Sequence, residues 1–211
     1  MVRVNTSVQH GCLGVVLAGG LSSRMGQDKA LLTRNNHSML SFSKQILMDS
    51  GISNVVVSGN NHDIPDLVEQ NGPVGGIFSV LARFPQINSL LILPVDLPFI
   101  TAKALAKLRV KGELSQKATF FQSHNIPLYL PNNAYLELYL KQAFNINDAR
   151  KAVNTAATSR FVTKGPSIKA LINCMPHQAI SCDDEKTLFN TNTPEQWQQA
   201  SKQLNFEQAK A

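Results

Sequence analysis

The chain has 211 residues, 43% of them hydrophobic and 7% aromatic, which allows a buried core but contains no apolar run of the ~18 residues a membrane span needs. Its net charge of +6 suits an anionic ligand such as a phosphate ester; the basic residues are scattered, with Lys103, Lys107, Arg109 and Lys111 reading as a solvated helix face, so no nucleic-acid partner is expected. Three dispersed cysteines, Cys12, Cys174 and Cys182, with no Cys-x-x-Cys, argue against a disulfide framework or a cysteine zinc site and fit a reducing cytoplasm.

Met1 to Gly11 lacks the apolar stretch of a secretory signal and reads as a flexible lead-in, leaving residues 12–211 as one domain. Leu13 to Ala18 is a short β-branched run stopped by Gly19-Gly20, the pattern of a buried strand leaving into a loop. Met39, Phe42, Ile46 and Leu47 recur at helical spacing up to Gly51, and Asn54 to Val57 reads as the next strand. Gly72-Pro73-Val74-Gly75-Gly76 opens a helix that carries Ile77, Val80, Leu81 and Phe84 on one face. Ser89 to Val95 is the most apolar stretch and predicts a central strand, with Asp96 at its carboxyl end; Thr101 then caps a helix bearing Leu105 and Leu108. Further on, a strand is expected near Ala118–Phe121, a helix over Asn133–Phe144 and a strand near Gln178–Cys182. A last helix starts with Thr193 as N-cap, Pro194 in the first turn and Gln196 closing a capping box. This alternation predicts an α/β fold with a mainly parallel sheet, whose ligands bind beyond the carboxyl ends of the strands.

Chemistry concentrates on that rim. In Leu17 to Leu32 (LAGGLSSRMGQDKALL) the glycines Gly19 and Gly20 let backbone N–H groups approach phosphate oxygens. Ser22 and Ser23 add hydroxyls, Arg24 a planar fork and Lys29 a compact charge. The loop is neither a Walker A sequence nor a Gly-x-Gly-x-x-Gly fingerprint. Asp96 ends an apolar strand, and Mg²⁺ commonly takes only one or two protein carboxylates; a loop or capping aspartate before Pro98 is the plainer reading. Asp66, followed by the glycine-rich helix start at Gly72, suits a nucleobase edge or a phosphate, and also fits an ordinary turn. In Asn190-Thr191-Asn192-Thr193 the capping explains the last threonine but neither asparagine, and Asn192 is a candidate metal or water ligand. His62 and His124 fall in polar loops and read as surface residues.

On these motifs, LAGGLSSRMGQDKALL, GPVGG after Asp66, LPVDLPF around Asp96 and NTNTPEQW, the chain resembles the molybdenum cofactor guanylyltransferase (MobA) family of the nucleotidyltransferase superfamily, from Leu13 to about Trp197. The resemblance implies a Rossmann-like three-layer α/β/α sandwich and transfer of GMP from GTP to molybdenum-bearing molybdopterin, with Mg²⁺ as cofactor and proteins that deliver and accept the product as possible partners. It places Leu17, Ala18, Gly19 and Gly20 on the nucleotide and Lys29 on its phosphates. Asp66 would touch the guanosine, and Asp96 both nucleotide and metal. Where the family often has Asn after the second strand, this chain has Ser58, with Asn60 two places on, and SHNIPLYL lacks the family's His-Pro pairing at His124. The rival readings are cytidylyl transfer, distinguished by Gly19, and a non-catalytic nucleotide-binding module.

Overall fold

The computed structural model describes residues 11–19, 29–34, 37–68, 71–144 and 165–208, and opens with strand β1 (Cys12–Leu17). A short 3-10 turn at Lys29–Leu31 leads into β2 (Thr33–Arg34), which pairs antiparallel with β3 (His37–Ser38). Next come α1 (Met39–Asp49), β4 (Val55–Ser58), α2 (Gly72–Arg83), β5 (Ser89–Pro94) and α3 (Ala102–Ser115). The second half supplies β6 (Ala118–Phe121), β7 (Leu128–Pro131), α4 (Ala134–Ala143), a short helix Ile168–Asn173, β8 (His177–Ile180) and a carboxyl-terminal helix Pro194–Gln208.

The sheet order is β4–β1–β5–β7–β6–β8. Within it β1 is parallel to both β4 and β5, β6 is parallel to β8, and β7 runs against its neighbours. The sheet is thus mainly parallel, as expected, but β7 was not expected. Proline at both ends of that segment, Pro127 and Pro131, hides its short apolar run, while pairing with β5 and β6 supplies the ladder that fixes it.

Two apolar layers lie on the two faces. Leu13, Val15, Leu90 and Ile92 pack with Val74, Ile77 and Val80 of α2, Leu136 and Leu140 of α4, and the helix Ile168–Asn173. Val16, Leu91 and Leu93 pack instead with Leu47 of α1 and Leu105 and Leu108 of α3. Adjacent residues of β1 and β5 face opposite layers because strand side chains alternate, and both are apolar because both faces are covered. The three-layer α/β/α arrangement follows.

The helices begin where their capping residues stand. Thr101 Oγ1 accepts from the Ala104 N–H, Asn133 Oδ1 from Tyr135 and Leu136, and Ser38 Oγ from Ser41. At the last helix Thr193 Oγ1 accepts from the Gln196 N–H while Gln196 Oε1 accepts from the N–H groups of Asn192 and Thr193, the reciprocal box the sequence predicts. The helix α3 crosses β7 at Gly112, whose bare α-carbon lies against the ring of Tyr129: a Cβ there would stand 2.1 Å from the ring.

Candidate active site

Strand register defines the rim. Leu17 is level with Ser58 of β4 on one side and with Pro94 of β5 on the other. Neighbouring strands are ~4.8 Å apart, so the residues just beyond, Ala18-Gly19, Gly59-Asn60 and Val95-Asp96, leave the sheet side by side. The chain leaves β1 toward α1 on one face and leaves β4 toward α2 on the other, the divergence beside which open α/β sheets bind ligands.

The β4 exit wraps over the start of the first loop. The Ser58 carbonyl accepts from the N–H groups of both Ala18 (3.0 Å) and Gly19 (3.1 Å). Gly59, at φ +151°, passes so close that a Cβ on it would lie 3.0 Å from the Gly19 nitrogen; glycine is required there by space and by conformation. From Gly59 the chain turns back on itself: Gly59 N–H donates to the Ile64 carbonyl, Ile64 N–H to Val57, and Asp63 Oδ2 accepts from the Val57 N–H. Asn60 Oδ1 accepts from the Asp66 N–H at 3.3 Å. The Asp66 carboxylate arrives beside Gly19, with Oδ2 3.4 Å from where a Cβ on Gly19 would be. Burial raises the Asp66 pKa above the usual carboxylate value. Gly72, at φ +60°, then sets the first turn of α2.

Ser58 stands where the resemblance puts a nucleotide contact, at the end of β4. Its carbonyl holds the loop, whereas its hydroxyl is buried under α2, 2.8 Å from where a Cβ on Gly76 would sit and with no hydrogen-bond partner among the described residues. A buried hydroxyl that makes no bond gives no stability. Ser58→Ala should therefore melt at or slightly above the wild-type temperature and bind nucleotide within about twofold of wild type, since a lost contact of typical worth would show as about fivefold. A tenfold weaker nucleotide complex would return the hydroxyl to the site.

Asp96 stands in the turn beyond β5, half-buried, and its loop is held from two sides. Its backbone carbonyl accepts from both the N–H (2.9 Å) and the hydroxyl (3.1 Å) of Thr191. That docking brings the NTNT segment to the carboxyl end of β5. It also distinguishes the two asparagines. Asn192 is exposed, with its N–H in the helix cap, whereas Asn190 Oδ1 is buried with no hydrogen-bond partner among the described residues. A buried acceptor next to the segment bonded to Asp96 suits a hard cation or the water on it, so the donor set fits Mg²⁺. Among the described residues no three His, Cys, Asp or Glu side chains converge; an ion here would need substrate oxygens to complete its shell. On the other side, Arg34 Nε donates to the Pro98 carbonyl at 2.8 Å, linking β2 to the loop after Asp96. Neither Thr191 nor Arg34 stood out in the sequence. A threonine inside a capping motif and a lone arginine near a hairpin give no local sign of a contact with residues far along the chain.

Gly20, Ser22, Ser23, Arg24 and Asp28 lie outside the described residues, as does the lead-in up to His10. Lys29 opens the 3-10 turn that leads into β2. His62 is half-buried beside Gly59, and His124 Nδ1 lies 3.1 Å from the Gln122 carbonyl at the end of β6. At the opposite end of the sheet, burial pushes the Cys12 thiol up to about 11 and raises Tyr129, each against a lowering hydrogen bond to Ser89; that thiol is protonated and inert at neutral pH.

Comparison with known proteins adds to this geometry. The family model for a MobA-like NTP transferase domain matches residues 14–154. The chain is 35% identical over 196 residues to a molybdenum cofactor guanylyltransferase of Xanthomonas euvesicatoria pv. vesicatoria, covering 90% of this chain and 95% of that one. Among solved structures it is similar to molybdopterin-guanine dinucleotide biosynthesis protein A of Archaeoglobus fulgidus, with a TM-score of 0.66, 18% identity, and coverage of 90% of this chain and 97% of that chain. It is also similar to 2-C-methyl-D-erythritol 4-phosphate cytidylyltransferase of Thermus thermophilus, with a TM-score of 0.56, 14% identity, and coverage of 91% and 98%. The two structural likenesses speak for the fold.

Proposed function

We propose, for a chain that belongs to the MobA-like NTP transferase family, that it transfers GMP from GTP to molybdenum-bearing molybdopterin, forming the guanine dinucleotide cofactor and releasing pyrophosphate. The observation that carries this reading is the match along nearly the whole chain to a relative named for that activity. The rim geometry supports the site: Gly19, Asp66 and Asp96 lie beyond neighbouring strand ends, at the edge where such sheets bind ligands.

The acceptor's terminal phosphate oxygen attacks the α-phosphorus of GTP. A new P–O bond forms as the bond to the pyrophosphate oxygen breaks, and the electron pair leaves with pyrophosphate. The nucleophile is already an anion, so no strong general base is needed. The barrier lies in bringing two polyanions together. In this reading the backbone from Leu17 to Gly20 lies along the nucleotide, and Asp66 and Gly72 border the guanosine. Arg24 and Lys29 screen the phosphates and stabilise the leaving pyrophosphate. Asp96, with Asn190 or Asn192, would hold the metal, and Mg²⁺ bound there would supply positive charge to the reacting phosphates. Residues 12–211 act as one domain. Among the described residues no helix is long and apolar enough to cross a membrane, and a cytoplasmic enzyme with protein donors and acceptors of the cofactor fits that.

The test is a panel of four nucleoside triphosphates, scored for Mg²⁺-dependent rise in melting temperature and for pyrophosphate release with a molybdopterin-loaded acceptor. GTP alone should score in both. A preference for CTP overturns the guanylyl assignment, and binding without pyrophosphate release overturns the enzyme. Lys29→Ala should lower turnover by about 10²–10³ with its melting temperature nearly unchanged. Turnover within about twofold of wild type would remove Lys29 from the mechanism, since even one ordinary hydrogen bond is worth more.

A further inference from the structure

The site description leaves one cation without a role. Arg34 extends from β2 to the far side of the Asp96 loop, where its Nε–H bonds the Pro98 carbonyl at 2.8 Å between residues 64 apart in sequence. Its guanidinium carbon also lies 3.9 Å from the centre of the Phe42 ring on α1. The ring holds the guanidinium by cation–π attraction, and a charged donor makes a stronger bond to a carbonyl than a neutral one.

The two segments joined in this way carry the opposing charges of the site. Lys29 begins the turn that runs directly into β2, and Asp96 lies two residues before Pro98. The loop beyond Asp96 is also held by burial of Leu97, Phe99 and Ile100, by the Ile100 N–H bond to the Leu97 carbonyl, and by the Phe99 ring against Phe189 and below Lys186 Nζ. Apolar burial is non-directional, so it fixes the depth of the loop better than its rotation about its own axis. Directional bonds limit that rotation. Thr191 supplies two at the Asp96 carbonyl, and Arg34 adds one at Pro98.

We infer that Arg34 is a positioning residue for the Asp96 carboxylate, fixing the gap between the turn that begins at Lys29 and the loop that carries Asp96. The inference rests on the reading of Asp96 as the metal-holding group, and the experiment separates the two. Amide hydrogen exchange is measured on ligand-free wild type, Arg34→Ala and Asp96→Ala; Mg²⁺ is then titrated into each with GTP present, following the melting temperature, and kcat and KM are measured. Arg34→Ala should exchange faster at Leu97, Phe99 and Ile100 than wild type. It should need about fivefold more Mg²⁺ for half of the nucleotide-dependent shift, the worth of one hydrogen bond. Its kcat should fall about tenfold, as a small misplacement of a catalytic group predicts, with KM for GTP unchanged. An arginine that serves only stability would lower the melting temperature and leave the Mg²⁺ midpoint and kcat at wild-type values; that result overturns the inference. If Asp96→Ala loses the Mg²⁺ response while Arg34→Ala keeps it intact, the role of Asp96 stands and that of Arg34 falls. If Asp96→Ala responds to Mg²⁺ as wild type does, the reading of Asp96 fails and the inference fails with it.

Discussion

Asp96→Ala should yield a folded chain that releases pyrophosphate from GTP about 10²–10³-fold more slowly and no longer answers to Mg²⁺. Folding should survive because the bonds that hold this turn go to the backbone carbonyl of Asp96, from the Thr191 N–H and hydroxyl. Its side chain is only half-buried and is no part of the apolar layers. The loss should therefore appear in turnover and in metal dependence, with thermal unfolding of the free protein within a few degrees of wild type. Asp96→Asn sharpens the test: it keeps size and one oxygen while removing the charge, and should fall nearly as far if charge holds the ion. Normal metal-stimulated turnover in either variant would place the metal elsewhere.

What the sequence reveals and what it hides divide along a physical line. Strands covered on both faces need continuous apolar runs, so Leu13–Ala18 and Ser89–Val95 announce themselves, and helix starts at Thr101, Asn133 and Thr193 are written in capping chemistry. The glycines of the first loop and the carboxylate at the end of β5 are legible for the same reason: each is out of place by ordinary packing rules. Contacts that depend on the third dimension leave no such trace. Nothing in β7 marks it as an antiparallel strand until β5 and β6 lie on either side. Ser58 and Asn60 look interchangeable as polar residues at the end of β4, yet the Ser58 hydroxyl turns under α2 at Gly76 while the Asn60 side chain accepts from the Asp66 N–H. The same holds for Asn190 and Asn192, which the sequence sets out as equals and the fold separates into a buried acceptor and an exposed cap residue.

Gly112→Ala should cost the fold more than any loop substitution while sparing the chemistry. A methyl there would stand 2.1 Å from one ring carbon of Tyr129 and 2.4 Å from another, well inside contact distance. Tyr129 is 2% exposed and sits in the middle layer of β7, paired with Leu91 on one side and Thr119 on the other, so its ring has nowhere to swing. Either α3 lifts away from the sheet or the ring leaves its rotamer. Overpacking of this kind costs ~1–3 kcal/mol and at times more; the roughly 1 kcal/mol that alanine gains over glycine in a helix offsets only part of it. A clash at 2.1 Å takes the upper end of that range, leaving a net cost of about 2 kcal/mol; at about 2–4 °C per kcal/mol for a chain of this size, the melting temperature should fall by about 4–8 °C. Pairing the change with Tyr129→Leu should recover part of that loss, because the smaller side chain vacates the space. The site lies at the other end of α3, near Thr101 and the Asp96 loop, so the kcat of Gly112→Ala below its melting range should stay near wild type. Unchanged stability would mean that α3 can shift without cost, and a large fall in kcat at constant fold would tie the helix to the rim through Ile100 and Thr101.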